Sequence, residues 1–293
     1  MRLLYTLGIL VLLSSCAQQN TDDLDDEVGL MLYTIRDQMK DNPKEKLKRV
    51  ASIGYDYIES VGYENGTYYG MAPADFNQFM DSIDLEPMSS HHGSMTYENA
   101  DKEIADAVAA GFEFVVIPVP PMGMYTYDFE TRSMGMKGSP EELTTFLNTV
   151  GKKAKKAGLE LLYHNHDFEF KPNEEGMVLA DYILENTDPR YVNFQLDLFW
   201  ATYADADIEA FIKRHPNRIK AFHVKDMDSE RNMAPVGKGT IDFASIFKHQ
   251  KTAGLEFFVA EQDFTGDLDP MDAIALSYQG LRDIVKTFST EED

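Results

Sequence analysis

The sequence predicts a (β/α)8 TIM barrel in a single domain, and three observations carry that expectation. From Val28 onward, eight short apolar or β-branched runs alternate with longer amphipathic segments. Four times a helical segment ends in Gly and a strand-type run follows at once, in "IGYDYIES", "AGFEFVVI", "AGLELLYH" and "AGLEFFVA". Eight such units occupy about 260 residues, an ordinary size for this barrel. An open doubly wound sheet is the alternative. It is disfavoured because no G-x-G-x-x-G loop follows any of the runs.

The candidate strands, in order, are "VGLMLYT", "DYIESVG", "EPMSSHH", "EFVVIPV", "LELLYHN", "VNFQLDL", "IKAFHVKD" and "FFVAEQD". Between them lie helical patterns such as "NPKEKLKRVASIG", "APADFNQFMDSID", "SPEELTTFLNTVGKKAKKAG", "DFASIFKHQKTAG" and "DPMDAIALSYQGLRDIVK". Several begin at Asp, Ser or Asn with Pro in the first turn and end at Gly, as helix start and stop signals should. The stretch "PPMGMYTYDFETRSMGMKG" after the fourth run shows no clear period and reads as a long lid or binding wall.

Bulk composition narrows the partners. The 43% apolar content is enough for a large core, while 50 acidic against 27 basic residues give a formal charge of −23. Such a field repels phosphodiester backbones, so nucleic acid is excluded as an expected partner.

The start of the chain reads as an export signal: one Arg, an apolar run from Leu3 to Leu13, then small residues and the single cysteine, Cys16. "LSSC" resembles the lipobox of bacterial lipoproteins, which implies a signal peptide over 1–15, lipidation at Cys16 and an acidic tether over 16–27. The barrel then spans 28–288. The implied location is the outer membrane, held by the lipid anchor alone, on its periplasmic or its surface face.

Polar residues at the strand ends are the candidate site, because functional groups of this fold gather at the C-terminal mouth. The fifth strand offers His164 and His166, which alternation puts on one face with Asn165 on the other. The sixth offers Asp197 with Gln195 behind it, the seventh His223 and Lys225, the eighth Glu261. Singly, each has a structural explanation, such as an Asp capping the next helix. Four neighbouring strands delivering imidazoles and carboxylates to one rim suit Mn²⁺, Fe²⁺, Co²⁺ or Zn²⁺ better than the oxygen-seeking Mg²⁺ or Ca²⁺. Further rim candidates for substrate contact are Arg36, Glu59, His92, Trp200 and Lys238. Arg36 pairs either with substrate or with a surface acid such as Asp37, and Lys238 either meets substrate or leads into a helix near Asp242. Trp200 and Phe199 stack either on a sugar face or in the core.

At these residues the sequence resembles the sugar phosphate isomerase/epimerase group of the xylose isomerase-like TIM barrels. "GLMLYTIRD", "GYDYIESVGY", "YHNHDFEF", "QLDLFWA", "FHVKD", "GKGTIDF" and "AEQD" carry the resemblance across nearly all of the expected barrel. It implies a divalent metal held by one residue from each of the fifth to eighth strands, usually Glu, Asp, His and Glu. Position by position these fall on His164, Asp197, His223 and Glu261. A histidine standing where the glutamate usually is leaves His164 and His166 as alternatives, and brings in Glu169 as ligand or base. The related DNA-repair endonucleases use extra histidines, for which His91 and His92 are available, but the acidic charge argues against that branch.

The implied chemistry is removal of a proton from a carbon next to a carbonyl, with the metal polarising the ketone oxygen and His166, Glu169 or Lys225 moving protons. Isomerisation or epimerisation of a sugar or keto-sugar is the expected outcome. Elimination from a keto-sugar or 3-keto-glycoside shares the same first step. A lipid-anchored carbohydrate-binding protein without catalysis is the third expectation, and the full ligand set counts against it.

Overall fold

The computed structural model describes residues 27–128 and 133–289. Cys16 and the expected signal peptide and tether, apart from Glu27, lie outside the described residues. Eight parallel strands close into a barrel: β1 (Gly29–Met31), β2 (Tyr57–Ser60), β3 (Glu86–His91), β4 (Phe114–Ile117), β5 (Glu160–His164), β6 (Val192–Asp197), β7 (Ile219–Val224) and β8 (Phe257–Ala260). Each strand pairs with its sequence neighbours, and β1 pairs with β8 through Gly29↔Val259 and Leu30↔Ala260. This is the TIM barrel that the βα repeat predicts.

Strand alternation sorts the side chains into two layers. Met31, Tyr57, Phe114, Val116, Leu162, Ala221, Phe257 and Val259 form a core inside the barrel. Their sequence neighbours, among them Ile58, Val115, Leu161, Tyr163, Phe222 and Phe258, belong to the larger core between barrel and helices. Following the inward parity one step further along each strand reaches Glu59, His164, His223 and Glu261 in turn. The floor of apolar residues and the polar mouth therefore come from the same alternation. Gly29 lets the floor form: a Cβ there would stand 2.1 Å from the Tyr57 ring, whose hydroxyl crosses to donate to the Phe258 carbonyl at 2.8 Å.

The helices obey their sequence signals. α1 (Pro43–Ile53) starts where Asn42 accepts from the Glu45 amide and stops at Gly54, in the left-handed region at φ 115°. α2 (Pro73–Asp81) and α3 (Ala100–Ala109) follow β2 and β3. α4 (Pro140–Ala157) opens with a full capping box between Ser139 and Glu142 and ends at left-handed Gly158. α5 (Leu179–Glu185), α6 (Leu198–Tyr203) and α7 (Ile208–Arg214) flank β6, and α10 (Pro270–Ser289) closes the ring.

Three expectations need correction. The first run is a strand only to Met31, after which Leu32–Ile35 turns as a 3-10 helix. "DFASIFKHQKTAG" is two short helices, α8 (Phe243–Phe247) and α9 (Gln250–Ala253), broken at Lys248 and His249. The aperiodic stretch after β4 contains an antiparallel hairpin, Tyr125–Asp128 with Ser133–Met136, whose exposed Tyr125 and Tyr127 alternate with polar residues. No helix among the described residues is long and apolar enough to cross a membrane.

Candidate metal centre and active site

Glu59, at the end of β2, lies fully buried at the centre of the mouth. Its Oε2 accepts from Ser89 Oγ at 2.5 Å and from Gln195 Nε2 at 2.6 Å. Its Oε1 stands 2.8 Å from His91 Nε2 and 2.5 Å from His223 Nε2. The far nitrogen of His223, Nδ1, is 2.7 Å from Glu261 Oε2 and 3.9 Å from Asp197 Oδ2. One imidazole thus joins the inner carboxylate to the outer pair.

The outer pair encloses a lysine. Lys225 Nζ is 2.9 Å from Asp197 Oδ2, 2.8 Å from Glu261 Oε2 and 2.9 Å from Asp263 Oδ1, and it is 2% exposed. Asp197 serves two ends: Oδ1 caps α6 by accepting from the Trp200 amide at 2.8 Å, leaving Oδ2 for the site. One oxygen of Asp197 thus caps the helix while the other faces the mouth. Asn165 supports it by accepting from the Asp197 amide at 2.9 Å.

Electrostatics follow from this crowding. For Lys225, burial pulls the ammonium down, but Asp197, Asp263 and Glu261 outweigh it and hold it well above its usual range. Burial also pulls His223 down, yet Glu59 and Glu261 on either side raise it to about 10. Burial lowers His166 to about 3, with Lys225 adding to the effect, and drives His164 down likewise. His164 and His166 are therefore neutral near pH 7. Burial raises Asp263 to about 7 against the pull of Lys225.

Among the expected metal ligands, Asp197, His223 and Glu261 form one group whose donor atoms all lie within 4.8 Å of one another. His164 instead groups with His91 and His223, its ring centroid 4.5 Å from that of His223. His166 sits one step outward, with its ring 5.2 Å from His164 and 5.8 Å from Trp200. Of the two alternatives, His164 is the one beside the carboxylate set, with Nε2 3.9 Å from Asp197 Oδ2. Trp200 does reach the site, 5.8 Å from Lys225 Nζ to its ring centroid.

Four other candidates stand elsewhere. Glu169 is fully buried away from the mouth, accepting from Tyr163 Oη at 2.7 Å and from the His166 amide at 2.8 Å. Tyr163 has outward parity on β5 and packs in the core between barrel and helices, and Glu169 is in neither group of converging metal-type donors among the described residues. His92 likewise has outward parity: Nδ1 meets Glu103 at 2.7 Å, and the ring packs 5.0 Å from Tyr63. Arg36 is engaged by backbone, donating to the Tyr33 carbonyl at 2.9 Å and the Asp263 carbonyl at 3.0 Å, while Asp37 pairs with Lys40. Lys238 is exposed on a loop that belongs to Asp226, whose carboxylate accepts from the amides of Met227, Gly237, Gly239 and Ile241.

Sequence reasoning gave His91, Ser89 and Asp263 no place in the site. Parity could have found the first two, since Ser89 and His91 share a face and His92 lies on the other. Asp263 follows β8 in a loop, where alternation gives no guidance.

The donor set fits a borderline divalent ion on observations of this chain. Three carboxylates, Asp197, Glu261 and Asp263, converge on one ammonium, and a fourth, Glu59, faces His223 from the other side, so carboxylates outnumber the cationic groups at the mouth. Asp197 Oδ2 has its ion pair with Lys225 and no further donor, and His164 Nδ1 is buried without a hydrogen bond. Mixed nitrogen and oxygen donors are the preference of Zn²⁺, Co²⁺, Fe²⁺ and Mn²⁺.

Fold and mouth together define a TIM barrel carrying a transition-metal type of donor set at the C-terminal ends of its strands. More particularly, the chain belongs to the xylose isomerase-like TIM barrel family, whose model matches residues 47–274. An inosose dehydratase of Salmonella typhimurium is 29% identical over 138 residues, 40% of this chain and 45% of that protein. The chain thus matches less than half the length of that relative. A sugar phosphate isomerase/epimerase from Parabacteroides distasonis superposes with a TM-score of 0.72 at 25% identity, covering 87% of this chain and 93% of that one. A barrel described as the IOLI protein with a bound zinc atom shares the fold, with a TM-score of 0.67 at 17% identity over 89% of this chain and 99% of its own. These relatives are named as a dehydratase and a sugar phosphate isomerase/epimerase.

Proposed function

We propose that this protein is a divalent-metal-dependent isomerase or epimerase of a sugar or keto-sugar. The observation that carries the reading is the buried convergence of Asp197, His223 and Glu261, with His164 beside them. These residues would hold the ion, whose chemistry when bound is to polarise a carbonyl oxygen and stabilise negative charge developing there. Lys225 supplies a fixed positive charge and an N–H donor at the same edge. His166, neutral and next to Trp200, would take a proton from a carbon adjacent to the carbonyl and return it to the neighbouring carbon. Delivery of a proton to the original carbon from the opposite face, by a group other than His166, gives epimerisation.

Elimination is the second reading, favoured by the inosose dehydratase relatives. The proton leaves as before, and a hydroxyl or glycosidic oxygen departs from the next carbon instead of the proton returning. The signal-like start of the chain supports export and anchoring through Cys16, and hence a neutral sugar or oxidised glycoside in place of a cytosolic sugar phosphate. The experiment is incubation of the metal-loaded protein with keto-sugars and 3-keto-glycosides in D₂O, followed by NMR and ultraviolet absorbance. Deuterium at the carbon beside the carbonyl supports the shared step. New enone absorbance selects elimination. Absence of exchange across the panel, with metal bound, would leave the non-catalytic carbohydrate-binding reading.

A further inference from the structure

We infer that Glu59 sets the tautomer of His223, so that Nδ1 is the nitrogen this histidine presents to a metal ion. The inference rests on the metal-dependent reading above and extends it to a positioning residue outside the ligand set. Glu59 comes from β2, whereas the ligands come from β6, β7 and the residue after β8, so its carboxylate reaches across the mouth.

The hydrogen-bond network leaves one arrangement. Gln195 donates its amide nitrogen to Glu59 Oε2 at 2.6 Å, which turns its carbonyl oxygen toward His91 Nε2 at 3.1 Å. That ring nitrogen faces two acceptors, the Gln195 carbonyl and Glu59 Oε1 at 2.8 Å, so it carries a hydrogen. Ser89 donates to Oε2. Oε1 then has His223 Nε2 at 2.5 Å, and an ionised carboxylate only accepts, so Nε2 of His223 also carries its hydrogen. Between two carboxylates the ring carries hydrogen on both nitrogens; an ion would displace one proton, and since Glu59 holds Nε2–H, the proton released to solvent is the one on Nδ1, which leaves the lone pair there. This nitrogen faces Glu261 Oε2 at 2.7 Å and Asp197 Oδ2 at 3.9 Å, the carboxylates assigned to the ion. A carboxylate that holds the far N–H of a ligating histidine fixes the ring's orientation and increases its basicity. Burying a charge at the barrel centre is costly unless the charge holds something in place. Here it accepts from four donors, two of them imidazole N–H groups.

The test uses the protein labelled with ¹⁵N-histidine, together with Glu59→Gln and Ser89→Ala. Zinc affinity is read by competition with a chromophoric chelator, and the tautomer by long-range ¹H–¹⁵N correlation of the zinc-loaded protein. The expected result is zinc on Nδ1 and hydrogen on Nε2 of His223 in the parent. Glu59→Gln should bind zinc about ten- to a hundred-fold more weakly, because an amide cannot accept from all four donors. Ser89→Ala, which removes only a donor to Oε2, should bind within about twofold, while a merely structural network would move both variants together. Zinc on Nε2 of the parent overturns the inference without any variant having to fold. Unchanged affinity in Glu59→Gln overturns it as well. A parent that takes up no ion overturns the metal reading and this inference together, which separates the two failures.

Discussion

Lys225 Nζ lies 2.8 Å from Glu261 Oε2 and shares that oxygen with His223 Nδ1, 2.7 Å away on its other side. The ammonium therefore already supplies part of the positive charge that the carboxylates of the mouth require. Replacing it with an uncharged chain of similar length, Lys225→Met, leaves Asp197, Glu261 and Asp263 facing one another. The expected cost is about 3–5 kcal/mol, the range for removing one partner of a buried ion pair. Millimolar Mn²⁺ or Zn²⁺ should restore more stability to this variant than it adds to the parent. Thermal unfolding with and without ion checks this; a metal-free variant as stable as the parent would refute it.

Glu169 gives a pH prediction away from the mouth. Burial raises its carboxyl to about 8, against the opposing hydrogen bonds from Tyr163 and the His166 amide. The unfolded carboxyl titrates near 4.5, so between those values the folded state binds the extra proton. Its contribution is present in full below the unfolded value and is lost as pH rises through the folded one, at up to about 1.4 kcal/mol per pH unit. Glu169→Gln should flatten the dependence of unfolding free energy between pH 5 and pH 8 relative to the parent. Parallel pH profiles for the two proteins would contradict the assignment.

His92 and His166 should separate cleanly. His92→Ala removes the partner of a buried Glu103 and should destabilise by about 1–3 kcal/mol while leaving substrate exchange intact. His166→Ala should retain bound metal and lose about 10²- to 10⁴-fold in exchange rate, the usual contribution of a positioned acid or base. Equal losses of exchange in the two variants would show that strand parity does not separate them.

Asp226 accepts from four backbone amides of one excursion, including Gly237 and Gly239. Asp226→Ala leaves those amides without their acceptor, at about 1–3 kcal/mol for each one that stays buried. Faster hydrogen exchange across residues 235–241 is expected, with the barrel strands unchanged. Protection equal to the parent's would mean that the excursion is held by something other than this carboxylate.

The fold was legible because the same device recurs: Gly54, Gly158 and Gly254 each end a helix in the left-handed region just before a strand. The mouth was legible only in part. His223, Asp197 and Glu261 end consecutive strands with inward parity, so strand alternation alone brings them together. Glu169 misled because it lies in a 3-10 turn, Phe168–Phe170, where the period of two no longer applies and its carboxylate meets Tyr163 instead. His92 misled for a simpler reason, being one residue beyond His91 and so on the opposite face. Arg36 and Asp263 depend on contacts between chain segments 227 residues apart, which local pattern does not encode.

That long-range contact bears on the order in which the molecule is made. Asp263 gives its carbonyl to Arg36, from the loop after the first strand, and its carboxylate to Lys225. A nascent chain that has passed β7 but not β8 holds Lys225 with Asp197 alone, lacks Glu261, and leaves the Arg36 side of the seam open. Closure of the ring and completion of the chemical centre are then a single event, reserved for the last stretch of synthesis. A truncated product is left with neither.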